Sequence, residues 1–222
     1  MAQLKTKAVK DGNGWRVNGT KPYITGGMTS KWATTAVRTG GDGMGGSSLM
    51  LIDLESEGVE RTELPKQGWW ASDTATLHFD DVFVPAENLI VEENQGFYGI
   101  MANFNGERLG MAAQAAAYAR VCVEEAAAWA QERKTFGKRL ADHQVIRHKL
   151  ASMAQRVWAT TSMLDTYAWH VQNGNTPVAE LAMLKVQATE TMEYCAREAM
   201  QILGGAGFIR GFAGFAGCLG DR

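Results

Sequence analysis

Cysteine is scarce in this chain. Only Cys122, Cys195 and Cys218 occur in 222 residues, far apart and without C-x-x-C or Cys/His spacing. That pattern argues against a structural zinc and for a reducing compartment. His78, His148 and His170 likewise have no partner at metal-ligand spacing, so no metal site is expected. No apolar run reaches the ~18–20 residues needed to span a bilayer, and the N-terminus lacks a basic-then-apolar signal layout. No membrane span is expected, and a cytoplasmic location follows as the default. Neither sign of charge dominates: the net charge is −2 with acids and bases interspersed, so there is no basic field for nucleic acid. Proline is rare too, and three of the four lie before residue 92.

What is present falls into two textures. Up to about residue 92, short β-branched and aromatic runs alternate with Gly and Thr clusters. Gly14–Gly19, Ala33–Arg38, Ser47–Asp53, Thr74–Phe79 and Asp81–Pro85 read as strands. Asp11-Gly12-Asn13-Gly14 carries an Asx-Gly hairpin signal. From Asn94 onward Ala, Met, Leu, Glu and Arg dominate, which predicts helices near 95–132, 142–172 and 177–203. Asn173-Gly174-Asn175-Thr176 stops the second helix. Thr176 is the expected N-cap of the third, with Pro177 at its first position and Glu180 nearby. A helix of ~30 residues is ~45 Å long and needs an antiparallel bundle to bury its face. The predicted class is therefore α+β: an antiparallel β-barrel or sandwich-like domain over 1–92, then a long antiparallel helical bundle over 93–210. Residues 211–222 form a divergent Gly/Phe-rich tail.

Two turns interrupt the helical half. Arg133-Lys134-Thr135-Phe136-Gly137-Lys138-Arg139-Leu140-Ala141-Asp142-His143-Gln144 sets basic and aromatic groups around a Phe-Gly corner. Gln201-Ile202-Leu203-Gly204-Gly205-Ala206-Gly207-Phe208 ends the last helix. Together they point to an anionic, flat ligand: Arg133 can form a bidentate phosphate contact, and glycines let backbone approach closely. Gly204-Gly205 also reads as an ordinary helix C-cap. It follows a helix rather than a strand, so it is no Rossmann fingerprint.

In order along the chain, four segments resemble the flavin-dependent acyl-CoA dehydrogenases. Gly19-Thr20-Lys21-Pro22-Tyr23-Ile24-Thr25-Gly26-Gly27 is similar to the family's G-x-K-x-(Trp/Tyr)-I-T. Gly68-Trp69-Trp70-Ala71-Ser72-Asp73-Thr74 through Pro85 resembles G-x-x-x-S-x-T…F-x-D-V-x-V-P. Glu132 to Gln144 resembles R-x-x-F-G-x-x-(I/L)…Q, and Gln201 to Phe208 resembles Q-x-x-G-G-x-G-(F/Y). The resemblance covers residues 1 to about 210. It is closest to the isovaleryl and long-chain branches. The family begins with a helical domain that this sequence does not show, so the resemblance implies a truncated chain with an out-of-frame tail.

The resemblance implies α,β-dehydrogenation of an acyl-CoA thioester with FAD as cofactor. Electrons would pass to an electron-transfer flavoprotein, and the assembly would be a homodimer or homotetramer. Most members carry the catalytic base on a loop after the Q-x-x-G-G turn. The isovaleryl and long-chain branches carry it on the first long helix, where Glu107 matches. The chemistry favours a partly buried glutamate, its pKa raised by desolvation. Asn105 and Arg108 match positions bordering the acyl-CoA pocket, although Arg108 also suits a structural ion pair. For FAD the implied contacts are Tyr23 and Thr25 at the flavin edge, then Arg133, Phe136, His143, Gln144, Gln201, Gly204 and Gly205. These turns reach a neighbouring subunit's FAD in the family. Lys134, Lys138 and Arg139 read as a solvated rim. Two rivals stand beside the dehydrogenase: an acyl-CoA oxidase-like relative, and a non-catalytic helical assembly fragment.

Overall fold

The computed structural model describes residues 4–209, so the tail expected at 211–222 lies outside the described residues. Contacts divide the chain into two compact units, with the division between Asn103 and Phe104. It falls within the first long helix, whereas the change in sequence texture comes at residues 92–94.

The first unit is built on β1 (Lys7–Asp11), β2 (Gly14–Thr25), β3 (Trp32–Arg38), β4 (Ser47–Asp53), β5 (Val59–Glu63) and β6 (Thr74–Pro85). β1 and β2 form the expected hairpin: Asp11 faces Gly14 across Gly12 and Asn13, and Gly12 takes φ 57. The strands form one sheet in the order β4-β3-β1-β2-β6-β5. Every neighbouring pair is antiparallel except β1 and β3, which meet in parallel at Lys7 and Arg38. Ile52 of β4 and Val59 of β5, from opposite edges, both pack on one core with Val17, Leu77, Val82 and Val84. The sheet therefore curls around a single interior.

The two strands read at 74–79 and 81–85 are one strand, β6. Ala75, Leu77 and Phe79 are buried in one phase and Val82 and Val84 in the other, with Asp80 and Asp81 between them. Asp81 sits at φ 53, and the register against β2 slips between Val17 and Gly19. A bulge of this kind shifts the alternation, so both halves of the strand still face the core. β5 is absent from the sequence-based reading because Val59-Glu60-Arg61-Thr62-Glu63 has little apolar alternation. It is an edge strand, where charge is favoured.

The second unit holds α1 (Gly96–Glu132), α2 (Gln144–Gln172) and α3 (Val178–Leu203), close to the predicted spans. Ala112, Ala115, Ala119, Cys122, Ala126 and Ala130 are buried along α1 at helical spacing. Where they contact α2 and α3, their small side chains meet Met153, Val157, Cys195 and Ala199. Thr176 does not cap α3. Pro177 occupies the N-cap, no side-chain cap bond forms, and Leu181 N donates to Pro177 O at 2.9 Å. The helix thus begins one residue later than expected, because the first helical acceptor is the proline carbonyl. Between α1 and α2 the chain forms a small hairpin, β7 (Lys134–Thr135) and β8 (Lys138–Arg139), then a 3₁₀ turn at Leu140–Asp142.

Candidate functional site

The corner between α1 and α2 and the end of α3 converge. Arg133 and Thr135 line a cavity of about 520 Å³ together with Gln201, Gly204 and Gly205. The Arg133 backbone is fixed at both ends: its N–H donates to Trp129 O at 2.9 Å and its carbonyl accepts from Leu140 N at 2.8 Å. The side chain is exposed, and among the described residues no carboxylate pairs with it. Gly204 ends α3 at φ 61 and ψ −134, a conformation L side chains avoid. The C-cap role is therefore real. A Cβ built on Gly204 or Gly205 would meet nothing within 4 Å, so the backbone there is open to a ligand.

Phe136 and Gly137 make the two-residue turn of the β7–β8 hairpin with φ 50 and 81, the signs of a type I′ turn. A phenylalanine at positive φ is strained. This one is also 98% exposed. Strain and exposure of this kind gather at functional positions. His143 precedes α2 as its N-cap, with Nε2 3.4 Å from both Thr135 Oγ1 and Thr135 O and its ring edge-on to Phe136. It steadies the hairpin from within the corner. Gln144 and Gln201 are both exposed on the first turn of α2 and the last turn of α3.

Arg139 is more than a solvated rim. Its guanidinium donates to both carboxylate oxygens of Asp142, at 3.2 and 3.0 Å, and to Gln131 Oε1 at 3.2 Å. Asp142 accepts the Arg139 backbone N–H at 3.2 Å in return. The Arg139 side chain, first among several causes, holds the Asp142 carboxyl below its ordinary pKa. Sequence spacing hid this because the hairpin, absent from the prediction, is what brings Arg139 back over α1.

An exposed arginine, an open glycine backbone and an aromatic ring at the rim suit an anionic, planar ligand. The corner therefore fits the pyrophosphate-bearing FAD that the resemblance implies.

Early in α1, Arg108 Nη1 donates to Asn105 Oδ1 at 3.1 Å, and its guanidinium lies 5.8 Å from the Phe104 ring centroid. Asn105 and Arg108 are half-buried, while Glu107 is exposed. The expectation of a part-buried carboxylate is not met within this chain. Arg108 falls in line with the buried stripe that runs on through Ala112 and Ala115. One residue back is a rotation of about 100°, which sets Glu107 on the flank of that stripe.

In the first unit Tyr23 and Thr25 lie at the end of β2. Tyr23 is 80% exposed at φ 62, within a register slip between Lys21 and Ile24, and Thr25 is exposed. The slip is what turns the tyrosine outward. Lys21 pairs with Leu77, a core residue, and so stands in an inward-facing row. Burial pulls its ammonium down to about 8. Sequence reading passed over that lysine, and over Arg61 and Asp73, which grip the turn after Thr25. A lone positive charge in a row of core residues was the available signal for Lys21.

Residues 1–82 match the acyl-CoA dehydrogenase middle domain, and residues 94–218 match the acyl-CoA dehydrogenase C-terminal domain. The chain belongs to the acyl-CoA dehydrogenase family. An acyl-CoA dehydrogenase of Alternaria alternata is 38% identical over 218 residues, 95% of this chain and 50% of that protein. A probable acyl-CoA dehydrogenase from Mycobacterium abscessus superposes with a TM-score of 0.91 at 47% identity, over 93% of this chain and 55% of that one. A glutaryl-CoA dehydrogenase from Mycobacterium smegmatis, solved in complex with FADH2, gives a TM-score of 0.90 at 25% identity over 98% and 55%. The chain spans about half the length of the curated relatives it matches.

Proposed function

We propose that these residues form the middle and C-terminal portions of an FAD-dependent acyl-CoA dehydrogenase acting on an acyl-CoA thioester. Convergence of Arg133, Gln201, Gly204 and Gly205 on one cavity, beside the outward Phe136, carries the reading. Bound FAD supplies a two-electron acceptor for the hydrogen lost from the substrate's β-carbon, and an electron-transfer flavoprotein then takes the electrons.

This chain's own residues bind and move a proton. Glu107 takes the α-proton as general base, a role worth about 10²–10⁴ in rate. Asn105 and Arg108, already bonded to each other, border the thioester. Arg133 grips the pyrophosphate as a bidentate donor, with Gln144 and Gln201 hydrogen-bonding nearby. Phe136 packs on the cofactor with His143 behind it, and Tyr23 and Thr25 meet the flavin edge.

Glu107 and Glu132, the last residue of α1, are 25 positions apart, a rise of about 37 Å along the helix. One copy therefore holds its base and its pyrophosphate grip far apart along one rod. That supports a homodimer or homotetramer in which the corner of one copy serves the cofactor of another. Buried Cys195, with no disulfide partner among the described residues, accords with a reducing, cytoplasmic setting, and among the described residues no helix is long and apolar enough to cross a membrane.

The test is titration of the purified chain with FAD, followed by flavin fluorescence, in wild type and Arg133→Ala. Saturable quenching that weakens in the variant is expected. Absence of binding by the wild type sinks the proposal for this polypeptide and favours the non-catalytic assembly reading.

A further inference from the structure

The turn that follows Tyr23 and Thr25 is held far more firmly than an exposed turn requires. Gly26 takes φ 72 and its N–H donates to Asp73 O at 3.0 Å, while Ser30 N donates to Gly26 O at 2.8 Å. From one side, Asp73 Oδ2 accepts from Met28 N at 2.6 Å and Oδ1 from Thr29 Oγ1 at 2.9 Å. From the other, Arg61 on β5 donates through Nη1 to Met28 O at 2.9 Å and Ser30 O at 3.0 Å, with Gly27 O at 3.4 Å, and through Nη2 to Leu54 O at 2.9 Å. Among the described residues Arg61 has no carboxylate partner in an ion pair; carbonyl oxygens alone receive it. A planar guanidinium presents several donors in a fixed fork and can serve converging carbonyls, which an ammonium on a flexible stem cannot do with the same geometry.

The folding of the sheet does not explain this. In the turn 26–30 only Gly27 is buried, while Met28 and Thr29 are exposed. Three residues before Gly26 stands Tyr23 at φ 62. Strain of that kind persists only where the surroundings over-determine the backbone. Thr25 pairs with Thr74, the neighbour of Asp73, so the carboxylate and the ladder fix the same few residues.

We propose that Arg61 and Asp73 are positioning residues that clamp the turn at 26–30 and so hold Tyr23 and Thr25 in the posture that meets the flavin. The proposal rests on the reading of those two residues as flavin contacts. Asp73 and Arg61 act through the backbone and need not touch the cofactor.

The whole 222-residue chain is titrated with FAD as wild type, Arg61→Lys, Asp73→Asn, Asp73→Ala and Val82→Ala, the last a core change elsewhere in the same unit. Affinity is read by flavin fluorescence, flavin geometry by visible circular dichroism, and the turn by hydrogen exchange at the Met28 amide. Arg61→Lys and Asp73→Ala are expected to speed exchange, alter the flavin dichroism and weaken FAD on the order of tenfold, about the loss of one hydrogen bond's net contribution. Asp73→Asn keeps one acceptor and falls between them and wild type. Val82→Ala lowers the melting temperature but leaves affinity and dichroism unchanged. Wild-type affinity and dichroism in Arg61→Lys and Asp73→Ala would overturn the proposal, as would unaltered Met28 exchange or the same flavin changes in Val82→Ala. A wild-type chain that binds no FAD fails the functional reading itself, and the clamp's purpose with it.

Discussion

Thr160 of α2 and Thr191 of α3 meet hydroxyl to hydroxyl at 3.0 Å in the bundle interior, both fully buried. Gln187 Nε2 donates to the same pair, at 3.4 and 3.2 Å. In an apolar seam a polar pair of this kind sets how far one helix slides along the other. Gln201 and Gly204 lie farther along α3, so this contact sets where they arrive.

Thr191→Val leaves the buried Thr160 hydroxyl with only the 3.4 Å contact from Gln187, a cost of about 1–3 kcal/mol. The double variant Thr160→Val/Thr191→Val removes both and recovers much of that loss. Urea denaturation of the two variants checks this; a double variant as damaged as the sum of the singles contradicts it.

Phe136 holds a positive φ that asparagine tolerates better. Phe136→Asn is expected to stabilise the chain by about 1 kcal/mol while weakening FAD binding. Opposite signs in the melting curve and the FAD titration are the signature of a residue kept for contact rather than for folding. A variant neutral in both shows that the ring has neither role.

Lys21 gives a pH dependence of defined sign. Its folded pKa, lowered by burial to about 8, lies below the ordinary lysine value of about 10.4. Below pH 8 both folded and unfolded chains carry the ammonium, and the folded one bears the cost of burying it. As pH rises above about 8 the folded form sheds its proton first, so the unfolded state binds more protons and stability increases. Lys21→Met should raise the melting temperature at neutral pH and flatten the rise between about pH 8 and pH 10. Parallel pH profiles for the two proteins would exclude this.

In the flavin-loaded chain Glu107→Gln removes the proposed base while preserving shape. Bleaching of the visible flavin band by an acyl-CoA is expected to slow by about 10²–10⁴, with acyl-CoA binding retained. Bleaching at the wild-type rate assigns the proton transfer to another group.

The helices were legible because 3.6-residue spacing over spans this long has few competing interpretations, and α1, α2 and α3 end close to where glycine, proline and the polar corner place them. β1 and β5 were harder: Lys7–Asp11 and Val59–Glu63 are short and charged, and only pairing partners elsewhere in the chain make them strands. β6 looked like two strands since Asp80 and Asp81 break the alternation; a bulge restores it in three dimensions. Among the site residues, Arg133 and Gln201 stood out by type and turn context, and the fold brings them to one cavity. The roles of Arg61 and Asp73 were hidden because they depend on a carboxylate and a guanidinium 12 residues apart meeting one turn from opposite sides, which no local pattern encodes. The exposure of Glu107 was equally invisible, since its neighbours Phe104 and Met111 suggest cover that the helix rotation does not provide.

The length of α1 has a genetic consequence. If its first half supplies a base to one centre and its C-terminal end a phosphate grip to another, two differently crippled copies can repair each other. A chain lacking Glu107 co-expressed with a chain lacking Arg133 would assemble mixed particles in which one centre draws both intact halves. Activity would reappear from two parents that have none.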